Sequence, residues 1–479
     1  MKKQLSRIAA VGVAVFMLAG CGGQTTEEGP GLVDPSIPNV DAGGDDELEE
    51  PDGRPTAGFN EHVMDLGGRE IVILDSHSQW FNYHETIDLT PNETLTVMDI
   101  MREIGDDFNT SISVVPAPAG GEIVAYLTGL RAAGLAPYDM LAFGTTGTNL
   151  ESLYSGGIVM DMNHPLTVGI IDFYNNPWDP ESALGYFHGR RFGVHFKVLN
   201  SGHLVRSTTV FNRTFMDTFA LPNLYEMVFN KTWTWNNFET VSNQVIQASG
   251  GSVRPLTYNR ESQLVPAIIA SNGGRVAENT PTGLVFVAHE DENTLEALGW
   301  FQAMINQGII TRDTGMHQNQ QLAEGLTMFH FVDVGALRAL TRQYPYPSEF
   351  NFGLLPMPMG PQMTEYASVS FAAHTYHIFN DIYRPDQVAA VLVAMANRLT
   401  RTDIIEHELN YGVQDEYSAR VIELLLERTV IDHSRIIGAA RSTLVNANQR
   451  VETGVQTPVA AMQTIAAQIQ VQYDAISFD

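Results

Sequence analysis

The chain has 479 residues, 27 of them Lys or Arg and 55 Asp or Glu, for a formal net charge of −28. Phosphate backbones and anionic lipid headgroups repel such a chain, which argues against nucleic acid as a partner and against electrostatic docking to membranes. With 44% hydrophobic and 17% charged residues the body can bury a substantial core, the length suggests two or three domains, and a lone cysteine leaves no intrachain disulfide.

Lys2, Lys3 and Arg7 precede an apolar run from Ile8 to Leu18, and Ala19 and Gly20 then lead to Cys21. A cationic start, an apolar middle and small residues at the end make residues 1–20 a secretory signal. The run is about 11 residues, against about 20 for a bilayer span. Leu18-Ala19-Gly20-Cys21 resembles the bacterial lipobox. That resemblance implies that the Cys21 sulfur is lipidated, by diacylglyceryl or palmitate-type chains, and that Cys21 becomes the mature N-terminus. Cleavage would remove three basic residues and no acidic ones, so the exported chain is more acidic still.

Residues 21–60 are rich in Gly, Pro, Asp and Glu, as in "PNVDAGGDDELEEPDGRPTAG". So little apolar surface cannot offset the entropy of ordering, and the stretch reads as a disordered acidic tether. "DDELEEPDG" lacks the alternating ligand spacing of a calcium loop.

Folded sequence begins near Asp65. Ile71 to Leu74 read as a strand that breaks into a polar loop ending in Trp80. A helix follows with Val97, Ile100, Met101 and Ile104 on one face. "TSISVVPAP" is a second strand, Ile123, Leu127 and Leu130 mark a second helix, and "YDMLAFGTTG" is a third strand. Alternation of this kind predicts an α/β fold with a largely parallel sheet, in which ligands gather beyond the carboxyl ends of the strands. His77, Ser78, Gln79, Trp80, Thr145 and Thr146 then form a candidate rim.

The second half continues in the same style. "GRRFGVHF" and "HLVRSTTVFN" read as strands. Thr234 is placed to cap a helix with Phe238, Val241 and Val245 inward and Gly250-Gly251 at its end. Leu295, Leu298, Phe301 and Ile305 mark another helix, and Val388, Val391, Leu392, Met395 and Leu399 a further one. These stripes are core faces.

Catalytic machinery is not evident in the sequence. His84-Glu85, His289-Glu290 and His407-Glu408 each lack the second histidine of a zinc-protease helix. There is no phosphate-cradling Gly-x4-Gly-Lys-Ser/Thr stretch and no Gly-x-Ser-x-Gly elbow. His374 and His377 are three apart in a segment that reads as extended, where that spacing sends them to opposite faces, so no metal site is expected. No cofactor is expected either. A secreted glycan hydrolase stays open, because paired carboxylates cannot be located without a fold.

Several segments together resemble the extracellular solute-binding proteins of ABC importers, family 1, which mostly carry sugars, oligosaccharides and polyols. "YDMLAFGTTGTNLESLYSGGIVMDMN", "GYFHGRRFGVHF", "TTVFNRTFMD", "KTWTWNNF", "IIASNGGRV", "LGWFQAMINQG", "LAEGLTMFHF" and "FNFGLLPMPMGP" follow that family's order across about residues 65–400. His195 stands where a proline is usual, and Phe211 where a tyrosine is. The resemblance implies a two-lobed, periplasmic-binding-protein-like α/β fold. Lobe 1 would hold 60–194 and 363–405, lobe 2 would hold 195–362 and 405–479, and the crossings would lie near Gly193–Lys197 and Leu354–Pro358.

It also implies a non-enzymatic, lipid-anchored monomer on the outer face of the cell membrane. This receptor would pass a carbohydrate to the permease subunits of an importer. Sugars are held by planar polar groups around their hydroxyls and by aromatic rings against their C–H faces. Trp80, His77, Ser78, Thr145, Thr146, Trp233, Tyr258, Asn259, Arg260, Glu261 and Asp333 are the residues expected to supply these contacts. Trp235 and Trp300 are expected to pack, and Trp178 to anchor a loop. The alternatives are the hydrolase, a receptor for a non-sugar solute, and an adhesive or structural lipoprotein.

Overall fold

The computed structural model describes residues 63–76, 87–90, 93–118, 122–144, 150–171, 185–195, 207–258, 261–312, 318–332, 340, 350–370, 374–399, 413–426 and 428–476. Cys21, the signal and the whole of the acidic tether lie outside them.

In chain order the first half comprises β1 (Glu70–Asp75), the hairpin β2 (Ile87–Thr90) and β3 (Glu93–Leu95), α1 (Val97–Phe108), β4 (Ser111–Pro116), α2 (Ile123–Ala132), β5 (Met140–Gly144), α3 (Leu150–Ser155) and the hairpin β6 (Tyr186–Phe187) and β7 (Arg190–Arg191). Strand β1 is central, with β4 and β5 parallel on either side. Its alternation decides what covers each face. Ile71 and Ile73 cluster with α1, whereas Leu74 clusters with residues of α2 and α3. Helix α1 forms where Thr96 accepts from the Asp99 N–H while Asp99 reaches back to the Thr96 N–H, a capping box. Val97, Ile100, Met101 and Ile104 are all buried, as their spacing predicts.

The second half runs through β8 (Thr208–Asn212), α4 (Thr214–Thr218), α5 (Leu224–Phe229), α6 (Trp235–Ala248), β9 (Arg254–Tyr258), α7 (Glu261–Ser271), the hairpin β10 (Ala277–Thr280) and β11 (Gly283–Phe286), α8 (Glu292–Asn306), β12 (Ile310–Arg312), α9 (Gln318–Ala323), β13 (Thr327–Val332) and β14 (Phe352–Pro356). The second sheet has the order β12-β9-β13-β8-β14. Strands β12, β9 and β13 are parallel, and β8 and β14 are antiparallel to their neighbours. Thr234 caps α6 through the Asn237 N–H, Phe238, Val241 and Val245 are buried, and Gly250 and Gly251 turn the chain at positive φ.

Beyond β14 come β15 (Ser368–Ser370), β16 (His374–Ile378), α10 (Pro385–Leu399), α11 (Glu416–Leu426), β17 (Thr429–Ile431), α12 (Gly438–Glu452) and α13 (Pro458–Asp474). Strand β16 joins the first sheet antiparallel to β5, so the order there is β16-β5-β1-β4. Helix α10 is buried on nearly every side within the first sheet's core, and α11 lies on β14, where the Ser418 hydroxyl accepts from the Leu354 N–H. The first sheet is therefore largely parallel with one antiparallel edge strand, as expected, and the second is mixed. The antiparallel members are the strands by which the chain enters a sheet from the other one or turns back at its edge.

Two of the expected positions are corrected. The stretch Leu354–Pro358 was expected at a crossing between halves, but β14 is paired with β8 along its length inside the second sheet. Residues 363–370 were expected with the first half, yet β15 pairs with β17, and the Tyr366 hydroxyl accepts from the Trp233 N–H in the second. "GRRFGVHF" also yields only a two-residue strand and one bridge, Val194 to Tyr376.

Candidate functional site

Two passages of chain connect the sheets side by side. At the first sheet, Val194 and Tyr376 exchange both backbone hydrogen bonds, at 3.0 and 2.7 Å. At the second, the Ser207 hydroxyl lies 2.9 Å from that of Ser368 and accepts from the Val369 N–H at 2.8 Å. The segments between these anchors, 196–206 and 371–373, fall outside the described residues.

The first anchor is packed around a buried imidazole. His377 is fully buried; its Nδ1 donates to the Phe192 carbonyl at 2.8 Å, and its Nε2 is 2.7 Å from the Thr375 hydroxyl. A carbonyl only accepts, so Nδ1 carries a proton, and the Thr375 hydroxyl also donates to the Phe143 carbonyl at 3.1 Å. Beside it Tyr154 stacks on Phe192 at 4.5 Å between ring centres, and burial pushes the Tyr154 hydroxyl well above its ordinary pKa. His374 and His377 both belong to β16, three residues apart. Among the described residues no group of three or more His, Cys, Asp or Glu could hold a metal ion.

In each sheet the parallel strands end together: β1, β4 and β5 at Asp75, Pro116 and Gly144, and β9, β12 and β13 at Tyr258, Arg312 and Val332. Ligands of open α/β sheets sit beyond such ends. Most of the expected contacts fall outside the described residues: His77, Ser78, Gln79, Trp80, Thr145, Thr146, Asn259, Arg260 and Asp333. Trp178 is outside them too. Glu261 opens α7, one residue past that boundary.

Two expected contacts are corrected. Trp233 has 0% of its surface exposed; its Nε1 donates to the Pro356 carbonyl at 3.1 Å, and its ring meets Phe238 edge-on and leans on Phe329. It sits under the second sheet, not on a rim. The reason is local: Thr234 and Trp235 are tied to Met359, whose N–H donates to the Trp233 carbonyl and whose carbonyl accepts the Trp235 N–H, and this turns the Trp233 ring inward. Tyr258 does end a parallel strand, but only 1% of it is exposed and its ring packs edge-on against Phe301 of α8. Trp235 and Trp300 stack at 4.5 Å with 11° between planes, a packing pair as expected.

One residue at the rim's base was not singled out from sequence. Asp75 closes β1, is 1% exposed, and its backbone carbonyl accepts from the Ala117 N–H at 2.7 Å, joining the ends of β1 and β4. Charged side chains are seldom so buried. The signal was legible in "IVILDS", an apolar run that stops on a carboxylate.

No family model and no curated protein sequence matches the chain. Solved structures do. The GacH receptor of Streptomyces glaucescens, determined unliganded and with acarbose, is similar at 11% identity and a TM-score of 0.59, over 86% of this chain and 100% of that one. The cyclic alpha-maltosyl-1,6-maltose binding protein of Arthrobacter globiformis is 11% identical with a TM-score of 0.61, covering 85% and 99%. UgpB of Mycobacterium tuberculosis, determined with glycerophosphocholine, is 16% identical with a TM-score of 0.54, covering 78% and 93%. These likenesses show the fold, the two-lobed architecture of periplasmic binding proteins.

Proposed function

We propose that the chain is an extracellular solute-binding receptor of an ABC importer that closes two lobes on a carbohydrate and hands it to permease subunits. One lobe comprises the elements up to Val194 together with β16 and α10. The other comprises those from Ser207 to Ser370 together with the final helices from α11. The passages anchored at Val194–Tyr376 and Ser207–Ser368 are the hinge. The observation that carries this reading is the double set of parallel strand ends, one per sheet, joined by paired crossings in a fold whose solved members include receptors for acarbose and a cyclic maltosyl sugar. Affinity then reflects contacts present in the closed form alone.

The exported protein is a monomer held at the outer face of the membrane by lipid on Cys21, with the acidic tether as a spacer. No helix among the described residues is long and apolar enough to cross a membrane. The receptor binds its solute and does not transform it. The glycerophosphocholine bound by one structural neighbour makes a phosphorylated polyol the second solute class to screen.

The test is a thermal-shift screen of the purified chain against mono- and oligosaccharides and glycerophosphocholine, with chromatography of each mixture. Stabilisation by a sugar with no product supports the receptor. Product formation identifies a hydrolase instead, and stabilisation by glycerophosphocholine alone moves the solute class. No response to any of them leaves an adhesive or structural lipoprotein. Separately, Cys21→Ser should abolish incorporation of labelled palmitate and release the protein into the medium.

A further inference from the structure

A second cavity lies apart from the strand-end rims, enclosed by α7, the hairpin strand β10 and the β15–β17 ribbon, with a volume of about 560 Å³. That is within the usual range for small-molecule sites, roughly 300–1,000 Å³. Much of its wall is apolar, including Ile269, Met363, Val369 and Val430. Its polar lining includes Arg275 and Glu278, which form an ion pair with each other, and Asn279, Asp432 and His433 from two neighbouring elements, since β10 packs on the helical turn His433–Arg435.

These three half-buried residues share a defect. Asp432 Oδ1 accepts from the Ser434 N–H and hydroxyl, but Oδ2 is shut off from solvent with no hydrogen-bond partner. Asn279 donates through Nδ2 to the Tyr186 carbonyl, and its Oδ1 is likewise shut off and unpaired. His433 Nε2 is the third such atom. Burial lowers the His433 pKa, partly countered by the Asp432 charge, so the ring is neutral near pH 7 and Nε2 can accept. Buried polar atoms are rarely left unpaired, and three along one wall call for an explanation.

We propose that this cavity is a binding site for a small primary amine with an apolar body. Asp432 Oδ2 and Asn279 Oδ1 can only accept, and His433 Nε2 accepts when the proton is on Nδ1. An ammonium group carries three donors and no acceptor, and its charge complements the Asp432 carboxylate. The apolar body lies against Ile269, Met363, Val369 and Val430. The three acceptor atoms lie just behind the wall, so the proposed binding requires their side chains to turn toward the cavity.

The experiment titrates the full chain with cyclohexylammonium, cyclohexanol and cyclohexanecarboxylate, one ring with three head groups, using ligand-observed NMR. The ammonium probe should bind at least tenfold more tightly than the others. Asp432→Asn, which keeps the acceptor for Ser434, should cost it about tenfold. Val430→Trp should abolish binding by filling the cavity from a lining residue that is 45% exposed. Equal affinity for the three probes, no binding at millimolar concentration, or ammonium affinity unchanged in either variant would overturn the assignment. Trp80→Ala should leave ammonium binding intact, so this site and the proposed sugar site fail separately.

Discussion

Gly193 lies directly against the ring of His377: a Cβ at position 193 would stand 2.5 Å from Cε1 and 2.6 Å from Nδ1. The glycine belongs to one passage between the sheets and the histidine to β16, where the other passage ends. The closeness of these two residues lets Val194 pair with Tyr376.

Gly193→Ala should therefore destabilise the protein by about 1–3 kcal/mol through overpacking, read as a lower urea midpoint with unchanged slope. The double variant Gly193→Ala/His377→Ala should lose less than the two single changes summed, because the clash disappears with the ring. Strict additivity would show that the ring yields without cost.

Trp233→Phe should cost about 1–3 kcal/mol, because the Pro356 carbonyl loses the Trp233 indole N–H deep in the core. Solute affinity should not change. A tenfold loss of affinity at unaltered stability would return Trp233 to the binding surface. The contrasting variant is Trp80→Ala, expected to weaken solute binding at least tenfold while the urea midpoint stays where it was. Unchanged affinity there would remove Trp80 from the site.

Why one tryptophan could be read from sequence and another could not is a matter of periodicity. Trp235 falls within α6, and Trp300 within α8, where neighbours at helical spacing announce an inward face. Trp233 precedes the cap in an extended segment only two residues long, and its direction is set by Met359, distant in sequence. The helices were legible for the same reason, down to Thr234 as cap and the buried stripe of α10. Strand direction was not, because apolar runs such as "TTVFN" and "FGLLP" look alike whether parallel or antiparallel. The crossing expected at Leu354–Pro358 failed on this point: a short motif carries no information about its pairing partner. The rim loops were placed by strand order alone, and their contacts stay with the mutational tests.

The capping box at α1 predicts a pH dependence. Hydrogen bonds from Thr96, then from Arg102, hold the Asp99 carboxyl below its ordinary value of 3.8. A folded-state pKa below the unfolded one contributes stability that is present above the unfolded value and is lost as pH falls through the folded one. Asp99→Asn should thus destabilise the protein at pH 7 by at most about 1 kcal/mol. The difference from wild type should shrink below pH 3.8 and vanish at lower pH. A difference that stays constant between pH 7 and pH 3 would mean that the carboxylate charge is irrelevant to the cap.

Asp139 supports the first sheet in a way its position just before β5 conceals. Its N–H donates to the Val72 carbonyl at 2.9 Å, and its Oδ2 accepts from the Val72 N–H at 2.9 Å, so a side chain extends the ladder where the backbone strand has not yet begun. Oδ1 is bound by the Arg69 guanidinium, with both partners mostly buried. Asp139→Ala removes both acceptors and leaves the Val72 N–H and a half-buried cation unmatched, at an expected cost of about 1–3 kcal/mol. Asp139→Asn keeps one oxygen for Val72 and loses the charge, so it should recover part of that loss in urea unfolding. Raising salt should narrow the gap between wild type and Asp139→Asn only slightly, because screening reaches a mostly buried pair poorly. If Asn proves as harmful as Ala, the ion pair with Arg69 dominates and the ladder extension contributes little. If Asn matches wild type, the reverse holds and Arg69 is held in place by Gln387, whose Oε1 accepts from it at 3.0 Å.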